Sequence, residues 1–492
     1  MQSIASEDII RRIRAENPWW ASGHSVYETV QAMTPRAYLD SFMHLVERPV
    51  RRAVILLGPR RVGKTVMIHH GIQSLLTSGV KPEAICYVSV DSPVYNGLRI
   101  EQLLEYYGQA VGIDYHTEPV YIFFDEIQYL RKWEVQLKSI VDNFDKVRCI
   151  ASGSAAAALR LKSQESGAGR FTDFLLPPLT FFEYLNLLGK GDMLDGPMGG
   201  IPRKTGPASF VAVDINRLND EFLRYLNFGG YPEVIFSPEI QADPVRFIKS
   251  DIIDKVLLRD LPSLYGIEDV QELNYLFTTL AYNSGNEISL GELSQNSGVA
   301  KNTIKRYIDY LEAAFLIRIV HRIDHNAKRF QRATHFKVYL TNPSMRAALF
   351  SPIGPNDKEI GRLVETALFA QWFHSPDPLY YARWGDGEVD MVKLRADQKP
   401  AWAVEMKWSD RVVDRRSELV GLTNFLNANK LDDVLVTTRT ETASDVVDGR
   451  KWRFVPASVY CYAVGHNLIH GLRSQTLAQQ LEFETAAESG LH

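Results

Sequence analysis

Residues 58–65 read Gly-Pro-Arg-Arg-Val-Gly-Lys-Thr and match the pattern G-x-x-x-x-G-K-[ST] in full. The apolar run AVILL comes directly before this segment, and the helix-forming segment VMIHHGIQSLL follows it. The glycines allow backbone N–H groups and the start of a helix to face an anion. The sequence therefore predicts a strand, a phosphate-binding loop and a helix in that order, which is a building unit of parallel α/β sheets.

Further short apolar runs follow this unit: ICYVSV, VYIFFDEI, VRCIASGS and FLLPPL. Near-continuous apolar runs of this length are typical of strands that are buried on both faces. We therefore expect an α/β fold with a parallel sheet over residues 49–188. A polar, amphipathic helical segment over residues 1–48 is expected to lead into it.

The phosphate-binding pattern assigns roles to particular residues. Lys64 is expected to reach the β and γ phosphates of ATP, and Thr65 to bind Mg²⁺. The rest of the loop is expected to surround the phosphates: Gly58, Pro59, Arg60, Arg61, Val62 and Gly63. The run YIFFDE ends in two carboxylates, of which Asp125 would hold the Mg²⁺ shell and Glu126 would act on the attacking water. Ser154, after the next apolar run, is a candidate sensor of the γ-phosphate.

Composition narrows the class of protein. A chain of 492 residues has room for about three domains, and its 45% apolar and 23% charged residues are typical of a folded globular protein. The net charge of −4 provides no global positive field, so any nucleic-acid binding requires a local patch. Three widely spaced cysteines give no disulfide framework, and no run of about 18 apolar residues occurs. We expect a cytoplasmic protein that does not bind a membrane.

The segment between Leu290 and Ile319 predicts a helix, a turn, a second helix and a strand, as in a winged helix-turn-helix over residues 266–338. Lys301, Lys305 and Arg306 would lie on the second helix, with Lys301 and Lys305 on one face. The basic stretch 318–337 adds Arg318, Arg322, Lys328, Arg329, Arg332 and Lys337. A basic helix beside a basic wing indicates binding to a DNA backbone. The alternative is a protein-packing module whose basic residues are a solvated face.

Two predicted strands near the C-terminus carry carboxylates and a lysine. Alternation in EVDMV and AWAVEMK places Asp390 on one face of the first strand, and Glu405 with Lys407 on one face of the second. This order resembles the PD-(D/E)xK nuclease core, in which two carboxylates hold one or two Mg²⁺ ions and the lysine positions water or stabilises developing charge. Glu365, on the preceding helix, matches an acidic residue often found there. The residues expected to bind metal are Glu365, Asp390 and Glu405, and those expected to be catalytic are Asp390, Glu405 and Lys407.

The order of several segments resembles the bacterial and archaeal AAA-type ATPases that carry a C-terminal domain of unknown function. These segments are GPRRVGKT, FFDEIQ, ASGS, AGRF followed by LPPLTFFEYL, NFGGYPEV and RDLPSLYGI. The resemblance extends from Arg51 to about Val455 and implies ATP hydrolysis. It also makes Arg170 a candidate contact to the γ-phosphate or to a second subunit, with a purely structural arginine as the alternative. The glycine-rich insertion at 189–209 departs from the family's shorter pattern.

Together these features predict an ATP-hydrolysing AAA-type protein with ATP and Mg²⁺ as its cofactors. An insertion and helical lid over 189–265 would follow the ATPase core, and a nuclease-like α/β domain over 339–470 would precede a tail at 471–492. One hypothesis is an enzyme that acts on DNA, with a metal-dependent nuclease domain. The other is an ATP-dependent molecular switch that binds a protein partner and has an inactive nuclease-like domain. Assembly into a homo-oligomer is compatible with both.

Overall fold

The computed structural model describes residues 6–23, 25–153, 169–196, 210–329, 335–375, 377–385 and 387–471. The described residues fall into two compact units, the first ending at Pro177 and the second running from Pro178 to Gly471. Each unit has its own sheet and its own hydrophobic core.

The first unit contains a five-stranded parallel sheet in the order β2-β3-β4-β1-β5. Its strands are β1 (Ala53–Leu57), β2 (Ile85–Ser89), β3 (Val120–Asp125), β4 (Val147–Gly153) and β5 (Phe171–Leu175). Its helices are Ser6–Glu16, Trp19–Ser22, Glu28–Gln31, Leu39–Glu47, Lys64–Thr77, Ile100–Val111 and Trp133–Asn143, with short 3₁₀ turns at Pro82–Ala84, Pro93–Tyr95 and Ile127–Tyr129. Every residue of β1 is buried, as expected of a strand covered on both faces. The prediction of a parallel α/β sheet is confirmed.

The N-terminal helices contribute side chains to the core of this unit. Ile9 and Ile13 are buried among the side chains that cover the sheet. The Asn17 side chain exchanges two hydrogen bonds with the backbone of Tyr87 in β2, and Trp19 Nε1 donates to the carbonyl oxygen of Ile85. Because β2 lies at the edge of the sheet, these contacts satisfy backbone groups that a free edge would leave unpaired.

The second unit contains a nine-stranded mixed sheet in the order β15-β16-β14-β13-β12-β11-β9-β10-β8. A two-stranded ribbon, β6 (Leu194–Asp195) with β7 (Val211–Ala212), flanks the predicted insertion, of which residues 197–209 lie outside the described residues. The strands of the large sheet are β8 (Glu287–Ser289), β9 (Ile317–Ile323), β10 (His335–Leu340), β11 (Leu379–Trp384), β12 (Gly387–Leu394), β13 (Pro400–Glu405), β14 (Asp433–Thr438), β15 (Ala443–Val447) and β16 (Arg450–Pro456).

Helices surround this sheet. They are Phe181–Leu187, Ile215–Phe228, Pro232–Phe236, Pro238–Ala242, Leu261–Tyr265, Val270–Tyr282, Leu290–Ser297, Lys301–Ala313, Ser344–Phe350, Ile360–Gln371, Arg411–Asp414, Val420–Asn429 and residues 457–471, with π-helical segments at Val245–Asp254 and Val256–Asp260 and 3₁₀ turns at Gly191–Met193, Trp372–His374 and Arg416–Leu419. Within the ranges given above, none of the helices has both the length and the apolar character needed to cross a membrane.

One strand pairing joins segments that the sequence predicts as separate domains. β9 pairs with β10 in antiparallel orientation, and its other edge pairs with β11 in parallel orientation. The predicted winged-helix segment and the predicted nuclease-like segment therefore share a continuous sheet. The pairing satisfies backbone groups that would otherwise lie along two open sheet edges.

Candidate functional site

The phosphate-binding loop leaves the carboxyl end of β1 and ends on the helix Lys64–Thr77. Gly63, the residue before this helix, has a φ of 91°, which glycine adopts without a steric penalty. A Cβ atom at Gly58 would lie only 2.2 Å from the carbonyl oxygen of Leu176, so this position also requires glycine. Lys64 Nζ donates to the carbonyl oxygens of Gly58, at 3.0 Å, and of Pro59, at 2.8 Å. The loop is thus folded around its own lysine.

Asp125, at the end of β3, is buried and accepts three hydrogen bonds. Its Oδ2 atom accepts from Thr65 Oγ1 at 2.7 Å and from the Tyr87 hydroxyl at 3.0 Å. Its Oδ1 atom accepts from Ser152 Oγ. The structure therefore brings together Thr65 and Asp125, the two residues predicted to hold Mg²⁺. A hydroxyl and a carboxylate are oxygen ligands of the kind that Mg²⁺ prefers, so these residues fit the ion.

Glu126 follows Asp125 and has a φ of 56°, an uncommon conformation for a residue with a side chain. Its Oε2 atom accepts from Gln128 Nε2 at 2.5 Å, and its backbone N–H donates to Ser152 Oγ at 3.3 Å. Backbone strain of this kind costs of order 1–3 kcal/mol and is concentrated at functional sites. The strained turn places the predicted catalytic carboxylate next to the predicted Mg²⁺ ligand.

Three further residues support this site, and the sequence did not indicate two of them, Tyr87 and Arg36. Ser152, from the same Ser-Gly-Ser run as the predicted sensor Ser154, donates to Asp125, and Ser154 itself lies outside the described residues. Tyr87, whose pKa is raised by burial and by Asp125, comes from the neighbouring strand β2. Arg36 donates to the carbonyl oxygens of Val62, at 2.7 Å, and of Pro177, at 3.0 Å. The only sequence signal was the position of Tyr87 near the carboxyl end of an apolar run, and Arg36 gave none.

Arg170, predicted as a candidate contact to the γ-phosphate or to a second subunit, lies away from this site within the same chain. It precedes β5, and its carbonyl oxygen accepts from the backbone N–H of Ala53 at the start of β1. The phosphate-binding loop leaves the opposite end of β1, about 16 Å away at 3.3 Å per residue. Arg170 Nε instead pairs with Asp142 Oδ1 at 2.6 Å, as the structural alternative expected.

A second cluster of charged side chains lies where β12 and β13 run side by side. Lys407 Nζ is 2.7 Å from Glu405 Oε1 and 3.9 Å from Asp390 Oδ2. Asp390 Oδ2 also accepts from the backbone N–H of Met406 at 2.7 Å. The antiparallel pairing of the two strands thus brings together the three residues that the sequence predicts to be catalytic.

Glu365 contacts Lys337, a residue that the sequence places on the predicted DNA-binding surface. Glu365 Oε1 accepts from the Tyr339 hydroxyl at 2.5 Å and from Lys337 Nζ at 3.2 Å. Lys337 Nζ is also 2.7 Å from Glu388 Oε1, and its side chain is only 5% exposed. Placing Lys337 on a DNA-binding surface was therefore wrong, because its ammonium group is buried between two carboxylates.

Burial changes the titration of this cluster. Burial and the neighbouring Asp390 raise the pKa of Glu405 to about 8, and burial raises the pKa of Glu365 against the effect of Lys337. Burial alone would lower the pKa of Lys407. The carboxylates of Glu405 and Asp390 outweigh this effect, so the pKa of Lys407 is raised overall. Among the described residues, Glu405 Oε2 is a buried oxygen with no hydrogen-bond partner.

The raised pKa of Glu405 predicts a pH-dependent stability. A folded-state pKa of about 8 against an ordinary value near 4.5 means that folding favours the protonated carboxyl, and this contribution is lost as the pH rises through 8. We expect urea denaturation in EDTA to show wild-type protein losing about 2 kcal/mol more than Glu405→Gln between pH 6 and pH 9. An equal loss in both proteins would contradict the shift.

The predicted basic surface divides into exposed and paired residues. Lys301, Lys305 and Arg306 are exposed on the helix Lys301–Ala313. In β9, Arg318 donates to the carbonyl oxygen of Trp372, and Arg322 lies 3.6 Å from Glu287. Lys328 and Arg329 are exposed, and the Arg329 guanidinium lies over the Tyr380 ring. Arg332 lies outside the described residues. Among the described members, exposed positive charge therefore lies on this helix and at Lys328 and Arg329.

Among the described residues, no group of three or more His, Cys, Asp or Glu side chains is arranged to hold a metal ion as it stands. The carboxylates of the second cluster are instead bridged in pairs by Lys407 and Lys337.

Two family models match parts of this chain. Residues 50–185 match a family model described as an AAA domain, and residues 219–357 match one described as a domain of unknown function, DUF8612. The AAA-domain match and the five-stranded parallel sheet support an AAA P-loop ATPase that binds and hydrolyses ATP. The second match covers most of the predicted lid and the predicted helix-turn-helix segment, and it includes Lys337 but ends before Glu365, Asp390 and Glu405.

The sequence relatives are described as uncharacterized proteins. Protein MJ1637 of Methanocaldococcus jannaschii is 24% identical over 331 residues, which are 66% of this chain and 68% of the relative. A Haemophilus influenzae protein is 23% identical over 349 residues, which are 70% of this chain and 80% of the relative.

Two solved structures resemble parts of the chain. The Caenorhabditis elegans protein PCH-2 has 14% identity and a TM-score of 0.27, over 42% of this chain and 60% of its own. Hsp104 of Saccharomyces cerevisiae in its casein complex has 14% identity and a TM-score of 0.28, over 64% of this chain and 54% of its own. The chain thus spans less than two thirds of either protein.

Proposed function

We propose that this chain is an AAA-type ATPase that acts on DNA and carries a metal-dependent nuclease domain. The contact between Thr65 and Asp125 beside the phosphate-binding loop carries the ATPase part. Bound Mg²⁺ would neutralise charge on the phosphates of ATP. Lys64 would exchange its two loop carbonyls for phosphate oxygens, and Glu126 would orient the attacking water.

The helix-turn-helix segment supports the DNA part of the proposal. The helices Leu290–Ser297 and Lys301–Ala313 are joined at Gly298, whose φ is 74°. Strands β8, β9 and β10 pair with one another, and this pairing supports the proposal of a winged helix. The second helix presents Lys301, Lys305 and Arg306 to solvent, where phosphates could be bound.

Neutralising this helix face is expected to weaken DNA binding. The triple change Lys301→Gln, Lys305→Gln and Arg306→Gln removes three potential phosphate contacts, so the slope of log affinity against log salt should fall by about 2–3. Fluorescence anisotropy with a labelled duplex across a salt series measures this slope. Lys399→Gln, at an exposed lysine between β12 and β13, is the matched control. An unchanged slope in the triple variant would favour the switch that binds a protein partner.

The order of elements around the second cluster supports the nuclease part. Glu365 lies on the helix Ile360–Gln371, Asp390 on β12 and Glu405 at the end of β13. The helix Val420–Asn429 then leads to β14, which pairs in parallel with β13. This is the order of the nuclease-like core that the sequence suggested.

The donor set at the second cluster fits a divalent cation. Asp390 and Glu405 offer carboxylate oxygens, and the unpartnered Oε2 of Glu405 is buried, which is costly unless a ligand satisfies it. A bound ion would polarise a phosphodiester and a water molecule. Asp390 and Glu405 would hold it, while the Lys407 ammonium offsets negative charge and can orient the water. This part of the proposal is tested by the cleavage assay described in the Discussion.

A further inference from the structure

Lys337 is the cation in the second cluster to which no part of the proposed function assigns a task. It lies on β10, outside the order of elements that resembles a nuclease core. Its Nζ atom lies 2.7 Å from Glu388 and 3.2 Å from Glu365, and 5.3 Å from the centre of the Tyr381 ring. The side chain is 5% exposed, so the ammonium group is held by these partners and not by water.

The two lysines of the cluster divide its carboxylates into pairs. Lys407 contacts Glu405 and Asp390, and Lys337 contacts Glu365 and Glu388. An ammonium group between two carboxylates occupies the kind of position that a divalent cation takes when carboxylates bridge to it. The orphan oxygen belongs to the Lys407 pair, because it is Oε2 of Glu405. The buried oxygen that lacks a partner therefore lies beside Lys407 and not beside Lys337.

Formal charge leads to the same division. Metal binding requires ionised carboxylates, and in that state Glu365, Glu388, Asp390 and Glu405 carry −4 and the two lysines carry +2, which leaves −2. One divalent cation would neutralise this sum, whereas two would leave an excess of +2 in a largely buried site, which is unfavourable. Arg383 adds further positive charge on the Lys337 side, since its Nη1 atom lies 3.8 Å from Glu388.

We propose that Lys337 takes the place of a second divalent cation, so that the centre binds one ion, at Asp390 and Glu405. This inference rests on the proposed metal site and specifies its stoichiometry. Lys337 is then a positioning residue that holds Glu365 and Glu388 without contacting a substrate.

The test counts Mn²⁺ bound per chain in the full-length protein without nucleotide, by equilibrium dialysis. Wild-type protein is expected to bind one ion. Lys337→Met keeps the length of the side chain and removes its charge, so Glu365 and Glu388 become available and the count should rise to two. Lys399→Met, a matched change at an exposed lysine, should still bind one ion.

The other outcomes separate two kinds of failure. No bound ion in wild-type protein would overturn the proposed metal site itself. Two ions in wild-type protein, or one ion in folded Lys337→Met, would overturn the role of Lys337 and leave the metal site standing. A Lys337→Met protein that unfolds in EDTA should refold with Mn²⁺, since the ion replaces the lost charge. If it stays unfolded in saturating Mn²⁺, the role of Lys337 is also overturned.

Discussion

Lys64→Ala is expected to abolish ATP binding, whereas Glu126→Gln is expected to keep binding and lose turnover by about 10²–10⁴-fold. The two residues lie at one site but act on different atoms. Lys64 donates to the loop carbonyls of Gly58 and Pro59 and would donate to phosphate oxygens in their place. Glu126 stands next to Asp125 in a strained turn, where its carboxylate can act on water but is not needed to hold the phosphates.

Binding of a fluorescent ATP analogue and steady-state phosphate release measure these two effects separately. Lys81→Ala is a suitable control, because Lys81 is an exposed residue of the same unit whose ammonium group lies 3.9 Å from Glu118. It should leave both quantities unchanged. Normal turnover in Glu126→Gln would remove this carboxylate from the mechanism.

Asp390→Asn, Glu405→Gln and Lys407→Met are each expected to reduce Mg²⁺- or Mn²⁺-dependent DNA cleavage by about 10³-fold or more. The amide variants fill the same volume as the carboxylates but bind a divalent cation poorly. ATP turnover should be nearly unchanged, because Lys64, Thr65 and Asp125 belong to the first unit and the three substituted residues belong to the second. The two activities should therefore separate.

Linear, circular and single-stranded DNA are the substrates for this assay, with RNA as a further test. Lys399→Met should cut at the wild-type rate. If wild-type protein cuts none of these substrates and binds no divalent ion in the absence of nucleotide, the nuclease hypothesis fails. The second cluster would then be a structural remnant, as the switch hypothesis expects.

The nucleotide site could be predicted largely because its chemistry is contiguous in sequence. Gly58 to Thr65 form one loop, and the carboxylates of Asp125 and Glu126 end an apolar run, so local patterns identify both. Arg36 and Tyr87 could not be found this way. Their roles arise from contacts with residues distant in sequence, and an isolated arginine or tyrosine has no local pattern that reports such a contact.

The second cluster contains one residue, Lys337, whose burial could not be predicted from the sequence. Alternation along two strands predicts Asp390, Glu405 and Lys407 on neighbouring faces, and the structure brings them together. In the sequence, Lys337 is one of several basic residues in the stretch 318–337. A charge count cannot distinguish an exposed lysine from a buried one, and the parallel pairing of β9 with β11 that joins its segment to the cluster has no local sequence signal.

ATP turnover of the full-length protein as a function of duplex DNA concentration at low salt tests the central claim most directly. An ATPase that acts on DNA should turn over faster as DNA is added, and the triple change of Lys301, Lys305 and Arg306 to glutamine should remove this increase while leaving the basal rate. Glu126→Gln provides the zero-turnover control. Turnover that is unaffected by DNA at every concentration would contradict the claim and favour a switch that responds to a protein partner.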